Sequence, residues 1–229
     1  AFGTAMNLPT LITAIFSIIL SPFTGFWGML ALGLIAGMMW IFGIHGTMMV
    51  VVVLMPLMMQ AATANAEAYQ AGGVEALVYY PVTLFGMMAC AGGTGNTFAL
   101  AILGMKAKSE QLRAVSKAAI GPGFFNINEP IIFGFPIMYN AFLAIPFLLS
   151  MIVPMILAHI FYSLGILRPG FVALGSVMPI GVSEFITTGS IINVLFAFAM
   201  IGVTLAIYYP FLKAYDKQLY EKEQSVVED

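Results

Sequence analysis

The sequence predicts an all-α, polytopic membrane protein with full transmembrane helices and two re-entrant helical hairpins. Of its 229 residues, 61% are hydrophobic and 8% are charged, whereas about a quarter of the residues in a soluble protein carry a charge. Four long runs, 1–66, 76–105, 130–167 and 185–212, contain no Asp, Glu, Lys or Arg. Because about 20 apolar residues cross a hydrocarbon core of ~30 Å, these runs are long enough for several membrane helices.

The same composition excludes other classes of protein. A net charge of −2 leaves no basic face for nucleic acid, so we expect no nucleic-acid partner. The single cysteine, Cys90, excludes an internal disulfide. No spacing of His and Cys is typical of a metal site, and we expect neither a metal nor another cofactor. The chain begins at Ala1 in apolar sequence, and we expect it to be part of a longer polypeptide.

Six apolar stretches are candidates for membrane segments. Pro and Gly separate the first two stretches, and the cluster Gly-Gly-Thr-Gly-Asn at 92–96 interrupts the fourth. This cluster predicts either tight packing of small residues or irregular backbone that lines a wet cavity, and the sequence leaves both alternatives open. The six stretches are 8–20, 26–44, 48–59, 78–105, 142–167 and 191–212.

Basic residues indicate which side of the membrane the connecting segments face. Segment 106–119 carries four basic residues and one acidic residue, and short basic loops favour the cytoplasmic side. We predict a cytoplasmic loop there and a cytoplasmic tail over 213–229. If both face the same side, the chain between them crosses the membrane an even number of times. The last two apolar stretches supply two crossings, which leaves the Pro- and Gly-rich segments 120–140 and 171–190 as re-entrant hairpins.

The first hairpin segment contains the most informative polar cluster. Asn126, Asn128 and Glu129 lie within four residues of one another in an otherwise apolar stretch. Because ionisable groups at membrane depth are costly, they usually face an interior cavity and mark a substrate or proton path. The alternative is a hairpin tip at the water interface, where Glu129 is only solvated.

A second candidate is His45, which follows 44 residues without Asp, Glu, Lys or Arg and is either hydrogen-bonded structurally or presented to a ligand. Neighbouring glycines allow close approach of the backbone, which favours contact between His45 and a ligand. Trp40 is either an aromatic face for a sugar ring or an anchor at the membrane interface. His159 lies within a span without polar neighbours, and we interpret it as structural.

The remaining carboxylates divide into two groups. Glu184 lies in the second broken apolar segment, and two interrupted segments that each carry a carboxylate are typical of a transporter binding site. Glu67 and Glu75 lie in the polar segment 60–75, which predicts a solvated loop.

The sequence contains no motif of a self-contained enzyme. His45 is followed by Gly rather than by the Glu of a zinc-binding helix, and neither a nucleophile elbow nor a phosphate-binding loop is present. Cys90 has no basic neighbour that would activate its thiol, and we interpret it as a packing residue.

Residues 125–134, Phe-Asn-Ile-Asn-Glu-Pro-Ile-Ile-Phe-Gly, resemble the signature of a known family. It is the membrane component, enzyme IIC, of bacterial phosphoenolpyruvate-dependent sugar phosphotransferase systems, in the lactose, cellobiose and diacetylchitobiose branch. Weaker agreements at 40–46, 92–95 and 208–217 keep the order of the family. Its members are longer, so the resemblance implies that residues 1–229 are the C-terminal portion of a sugar-transporting membrane domain.

The resemblance implies a multi-pass permease of the bacterial cell membrane that binds a disaccharide or β-glucoside and forms a homodimer when full length. By this resemblance Glu129 would accept a hydrogen bond from the hydroxyl that becomes phosphorylated, and His45 would lie opposite as the second catalytic residue. Trp40, Asn126 and Asn128 would complete the sugar-binding set. The phosphoryl donor would be a phosphocysteine on a cytoplasmic enzyme IIB, so this chain would not carry the phosphoryl group itself.

Two other functions stay open from the sequence. Glu129 and Glu184 could be the proton sites of an ion-coupled secondary transporter, or the chain could be a non-transporting truncated fragment. The chain also departs from the family at 176–181, where Ser-Val-Met-Pro-Ile-Gly replaces the Trp-Thr-Thr-Pro-Pro-like box of many relatives, and this leaves the sugar open.

Overall fold

The computed structural model describes residues 24–174 and 178–227, and within these ranges it contains helices and turns but no strand. The all-α prediction is confirmed. Three described helices are long and apolar enough to cross a membrane, as the charge-free runs predict. The apolar stretch 8–20 lies outside the described residues, and the re-entrant character of the two hairpins stays a prediction.

The connections between consecutive helices range from two residues, 189–190, to eighteen residues, 164–181. Two 3-10 turns, Gly73–Ala76 and Pro81–Thr83, lie between the second and third helices. In chain order the helices are α1 Phe26–Ile41, α2 Gly46–Gly72, α3 Leu84–Met87, α4 Phe98–Gly104, α5 Glu110–Phe124, α6 Glu129–Gly134, α7 Ala141–Ser163, α8 Val182–Thr188 and α9 Ile191–Val227.

Helix α7 is central to the packing, because it contacts both α1 and α9. Leu143, Phe147 and Met151 follow one another at single-turn spacing along α7 and are fully buried, which is the stripe expected of a packed helix. On α1, a Cβ added at Gly33 would come within 2.9 Å of the Met155 sulfur. The small residue therefore lets two apolar helices approach closely, as is common in membrane helix pairs.

The polar segment 60–75 is helical for most of its length. It is rich in Ala, the strongest helix former, and α2 continues through it to Gly72. Glu67 is exposed on this helix and Glu75 is exposed in the 3-10 turn that follows. The prediction of a loop is therefore wrong, although both carboxylates are exposed.

The predicted cytoplasmic loop 106–119 is also helical from Glu110 onward. Ser109 begins this helix because its Oγ accepts a hydrogen bond from the backbone N–H of Leu112 at 3.2 Å, the usual arrangement at a helix N-cap. The basic segment thus forms most of α5, and the side of the membrane that it faces stays a prediction.

Two carboxylates of α9 hold the start of α5. Asp216 accepts hydrogen bonds from the backbone N–H groups of Lys108 and Ser109, each at 2.9 Å. Glu223, two turns further along α9, accepts the Ser109 hydroxyl at 2.6 Å and the next two backbone N–H groups. These carboxylates satisfy free N–H groups at the positive end of the helix dipole. The start of α5 and the tail therefore lie on the same side of any membrane that the apolar helices cross.

Segment 88–97, which we call the glycine loop, joins α3 to α4 through the interior. Residues 90–97 are all buried. Gly92, Gly93 and Gly95 have positive φ angles, a conformation that glycine adopts without steric cost. A Cβ at Gly95 would overlap the ring of Phe147. The structure therefore supports tight packing at this cluster.

The polar backbone groups of the glycine loop are bound within the protein. Asn96 accepts the backbone N–H of Ala91 at 2.7 Å and donates to the carbonyl oxygen of Ser150, also at 2.7 Å. The Tyr208 hydroxyl of α9 donates to the carbonyl oxygen of Gly95 at 2.7 Å. Irregular backbone is tolerated at membrane depth only when its polar groups are satisfied in this way.

We predict that Gly95→Ala destabilises the protein by about 2–4 kcal/mol, because the added Cβ overlaps Phe147 and a φ of +83° is unfavourable for alanine. Gly202→Ala is the matched control, since an added Cβ on that residue of α9 meets nothing within 4 Å. Thermal unfolding in detergent measures both variants. A Tm for Gly95→Ala as high as that of Gly202→Ala would contradict the prediction.

We predict that Glu223→Ala lowers stability by about 1–2 kcal/mol, because it leaves two backbone N–H groups and the Ser109 hydroxyl at the start of α5 without their acceptor. Glu221→Ala is the control, because Glu221 only contacts Lys217 at 3.8 Å on the exposed surface, a pair worth about 0.5 kcal/mol. The test is to unfold both variants and to monitor the loss of the helical signal. Equal losses would show that the carboxylate contacts with α5 contribute nothing.

Candidate functional site

The first predicted hairpin, 120–140, contains the C-terminal end of α5 and all of α6, which pack against each other and are joined by residues 125–128. The turn needs a left-handed residue, and Asn126 supplies it with a φ of 61°. Asn is one of the few non-glycine residues that adopt this conformation readily. Asn128 is the N-cap of α6, and Glu129 is the first residue of that helix. The polar cluster found in the sequence is therefore the hairpin tip.

Asn126 joins three segments of the chain. Its Oδ1 accepts the backbone N–H of Gly92 at 2.7 Å and that of Gly93 at 3.3 Å, both in the glycine loop. Its Nδ2 donates to the carbonyl oxygen of Met178 at 3.2 Å, and Met178 belongs to the second hairpin. The side chain thus acts as a connector between the two hairpins and the glycine loop.

Two of the five predicted site residues, Trp40 and Asn128, are linked by hydrogen bonds through Thr94 of the glycine loop. The Trp40 Nε1–H donates to Thr47 Oγ1 at 3.0 Å, and the two threonine hydroxyls lie 2.7 Å apart. Asn128 Nδ2 donates to the Thr94 carbonyl oxygen at 2.8 Å, and Glu129 follows Asn128 directly. The sequence did not single out Thr47. Thr94 could have been found, because it is the one hydroxyl residue in the glycine cluster.

His45 is half-buried at the start of α2, where its Nδ1 accepts the backbone N–H of Met48 at 3.3 Å. The His45 ring lies 4.1 Å from the Trp40 ring, centroid to centroid. Trp40 itself is only 3% exposed. The structure therefore places these two predicted residues in direct contact.

Glu129 is exposed, and no hydrogen bond or ion pair joins it to another residue within the described part of the chain. Its carboxylate is therefore free to bind a ligand, or a residue outside the described ranges. That it lies in an enclosed cavity opposite His45 stays a prediction.

In the second predicted hairpin, 171–190, Phe171 pairs with the end of the short helix α8. The backbone N–H of Phe171 donates to the Thr187 carbonyl oxygen at 2.9 Å. At the tip, the N–H of Ile180 donates to the carbonyl oxygen of Phe124 at 2.9 Å, so the tips of the two hairpins touch. Residues 175–177, which include part of the segment where the chain departs from the family box, lie outside the described residues.

A cavity of about 420 Å³ opens between α2, the start of the glycine loop and the second hairpin. Met55, Met58 and Met59 of α2 form part of its apolar wall. Asn126 is the one predicted sugar-binding residue that lines it, and Glu184 lines the polar wall.

His159 and Cys90 have the structural roles that the sequence predicts. His159 stacks on Phe26 with ring centroids 4.0 Å apart, and its Nδ1 lies 2.9 Å from the Tyr79 hydroxyl. Cys90 is buried. No group of His, Cys, Asp and Glu side chains that could hold a metal occurs among residues 24–174 and 178–227.

Comparison with known proteins identifies a family whose model matches residues 4–151, and the description of that family is "Phosphotransferase system, EIIC". The chain is 35% identical over 192 residues to the lichenan permease IIC component of Bacillus subtilis, covering 82% of this chain and 42% of the relative. It is 36% identical over 209 residues to the lactose-specific EIICB component of Lacticaseibacillus casei, covering 87% of this chain and 36% of the relative.

A solved structure is similar over nearly the whole chain. It is the transporter ChbC, the IIC component from the N,N'-diacetylchitobiose-specific phosphotransferase system. The TM-score is 0.85 at 30% sequence identity, and the match covers 96% of this chain and 52% of ChbC. The chain thus spans about half the length of ChbC, and less than half of the two curated relatives.

We predict that Asn126→Gly speeds hydrogen exchange at the amides of Gly92 and Gly93 about tenfold, because it removes their acceptor, a bond worth about 1.4 kcal/mol, and keeps the positive φ. Asn140→Gly is the control, because the Asn140 side chain accepts the N–H of Phe142 at the start of α7 and not the amides of the glycine loop. Hydrogen exchange of both variants, measured by mass spectrometry, tests this prediction. Unchanged protection of the two amides in Asn126→Gly would refute the connector role.

Proposed function

The chain belongs to the phosphotransferase system EIIC family, and from this membership we propose that it is the sugar-permease part of such a system in the bacterial cytoplasmic membrane. It binds a disaccharide or β-glucoside of the lichenan, lactose or diacetylchitobiose kind, carries it across the bilayer and presents one hydroxyl for phosphorylation. The family membership does not favour the ion-coupled secondary transporter or the non-transporting fragment.

The observation that carries this proposal is the polar chain from Trp40 through Thr47 and Thr94 to Asn128. It ties the His45 end of the candidate site to the hairpin tip that bears Glu129. A sugar buried at membrane depth needs a partner for each hydroxyl, since each unpaired one costs about 1–3 kcal/mol. The free carboxylate of Glu129 and the imidazole of His45 are suited to that task.

Glu129 is proposed as the residue that orients the reacting hydroxyl and accepts its proton during in-line attack on the phosphoryl group. His45 lies on the opposite side of the sugar unit that carries this hydroxyl and helps to hold that unit in place. Trp40 is almost fully buried and its N–H is bound, so we propose that it mainly holds the His45 ring. Direct contact between Trp40 and the sugar stays a prediction.

Direct contact of Asn126 and Asn128 with the sugar stays a prediction. Both amides already bind the glycine loop, so we propose that they position Glu129 and leave at most their remaining polar atoms for the sugar. Asn126 retains a place on the cavity wall, which keeps it as a candidate for direct contact.

The phosphoryl donor is proposed to be a cytoplasmic enzyme IIB, in line with the lactose-specific relative that is named an EIICB component. Cys90 is buried, so it is not a candidate for the phosphocysteine. We propose that the partner approaches the side that carries 106–119 and the tail 213–229, and that the functional unit is a homodimer within the bilayer.

We predict that Glu129→Gln, made in the native gene, lowers affinity for the transported sugar at least tenfold, because the amide lacks the charge that strengthens the hydrogen bond. Binding of radiolabelled cellobiose, lactose and diacetylchitobiose to membranes tests this prediction. Glu75→Gln is the control, because Glu75 is exposed in the turn after α2.

Uptake assays separate the proposal from its rival. Uptake should require a phosphorylated cytoplasmic IIB and should not respond to a pH gradient alone. Sugar binding by Glu129→Gln equal to that of Glu75→Gln would remove Glu129 from the site. Uptake driven by a pH gradient without a phosphocarrier would overturn the proposed function itself.

A further inference from the structure

The cavity beside the second hairpin has the properties of a ligand site. Its volume of about 420 Å³ lies in the range of small-molecule pockets, which are mostly apolar with a few polar groups. Methionines of α2 and α3 form much of the apolar wall, whereas the polar wall comes from the second hairpin and the start of α9. Asn126 contributes from the first hairpin tip, so the cavity adjoins the proposed sugar site.

Most polar groups on this wall are already used. The Thr187 and Thr188 hydroxyls donate to backbone carbonyl oxygens within α8. Asn193 is bound on both sides by Arg168, because its Oδ1 accepts the Arg168 N–H and its Nδ2 donates to the Arg168 carbonyl oxygen, each at 3.0 Å. These residues close the base of the hairpin and have little capacity left for a ligand.

Glu184 differs from these neighbours. One carboxylate oxygen, Oε2, accepts the backbone N–H of Gly181 at 2.9 Å and the Ser183 hydroxyl at 2.8 Å. The other oxygen, Oε1, has no hydrogen-bond partner among the described residues. The side chain is half-buried on the cavity wall. The carboxylate is thus held in one orientation by Oε2, with a strong acceptor unused.

We propose that Glu184 is a second sugar-binding carboxylate, whose Oε1 accepts a hydrogen bond from a hydroxyl other than the one that is phosphorylated. The inference rests on the proposed function and deepens it, because it divides recognition between the two hairpins. Glu129 on the first hairpin engages the reacting hydroxyl, and Glu184 on the second selects among sugars by a distant hydroxyl. A site built to accept a hydrogen bond from one hydroxyl discriminates strongly against a ligand that lacks the matching donor.

A purely structural role for Glu184 makes a different prediction. If the carboxylate only caps the turn 181–184, its replacement weakens the binding of every sugar equally through the hairpin. If Oε1 contacts one hydroxyl, the replacement and the removal of that hydroxyl from the sugar are not additive. Glu184→Gln separates the two roles, because its amide oxygen can still accept the N–H of Gly181 while the amide nitrogen offers a donor where Oε1 offers an acceptor.

The experiment measures sugar binding to membranes from cells that carry Glu184→Gln in the native gene. The probe is whichever of cellobiose, lactose and diacetylchitobiose binds the wild-type protein most tightly, together with its monodeoxy derivatives. We expect affinity for the parent disaccharide to fall about 10–100-fold. One monodeoxy derivative should bind wild-type protein weakly and lose nothing further in Glu184→Gln. Glu75→Gln should bind all of these sugars as the wild type does.

Unchanged affinity for the parent sugar in Glu184→Gln would overturn the inference. An equal loss for every derivative would also overturn it, because that pattern belongs to the structural role. If Glu129→Gln loses binding in the same assay while Glu184→Gln does not, the inference fails and the proposed function stands. If the wild type binds none of the three disaccharides, the proposed function fails as well.

Discussion

Satisfying the backbone of a buried, irregular loop is the constraint on which the rest of this structure depends. The glycine loop passes through the interior outside any regular helix, and each of its N–H or carbonyl groups left unpaired would cost several kcal/mol at membrane depth. Four side chains from three segments bind these groups: Asn96 in the loop itself, Asn126 and Asn128 in the first hairpin, and Tyr208 in α9. The loop therefore organises the elements around it.

This constraint explains why the hairpin tip is polar although its neighbours are apolar. Asn126 and Asn128 form hydrogen bonds with the glycine loop, and these bonds fix the position of the backbone at Glu129. The same amide of Asn126 donates to the carbonyl oxygen of Met178 in the second hairpin, so a hydrogen bond connects the two hairpins. In a protein that moves a sugar through a membrane, such coupling would let both hairpins move as a unit around the bound ligand.

Much of the fold could be predicted from the sequence, because membrane helices follow from long charge-free runs. The exceptions have physical causes. Segment 60–75 was expected to be a loop because it is polar, but its alanines favour helix and α2 continues through it. Segment 106–119 is predicted from its charge alone. The carboxylates of α9 that bind the start of its helix lie more than a hundred residues further along the chain.

The candidate site could be predicted in part. The polar residues at 126–129 stand out because amides and a carboxylate are rare in apolar sequence, whereas Thr47 is an unremarkable residue until the fold places it between Trp40 and Thr94. The sequence also does not predict that Asn126 binds two backbone N–H groups. These bonds require the glycine loop to fold against the hairpin tip. Local sequence patterns do not show which residues far apart in the chain form hydrogen bonds with each other.

The most direct test is the position of a bound β-linked disaccharide in a crystal or electron-microscopy structure that resolves individual hydroxyls. We expect one hydroxyl at about 2.6–3.2 Å from the Glu129 carboxylate, His45 on the opposite side of the same sugar unit, and the Asn126 bonds to the glycine loop intact. A sugar bound away from Glu129 and His45, with the first hairpin tip facing open water, would contradict this view of the protein.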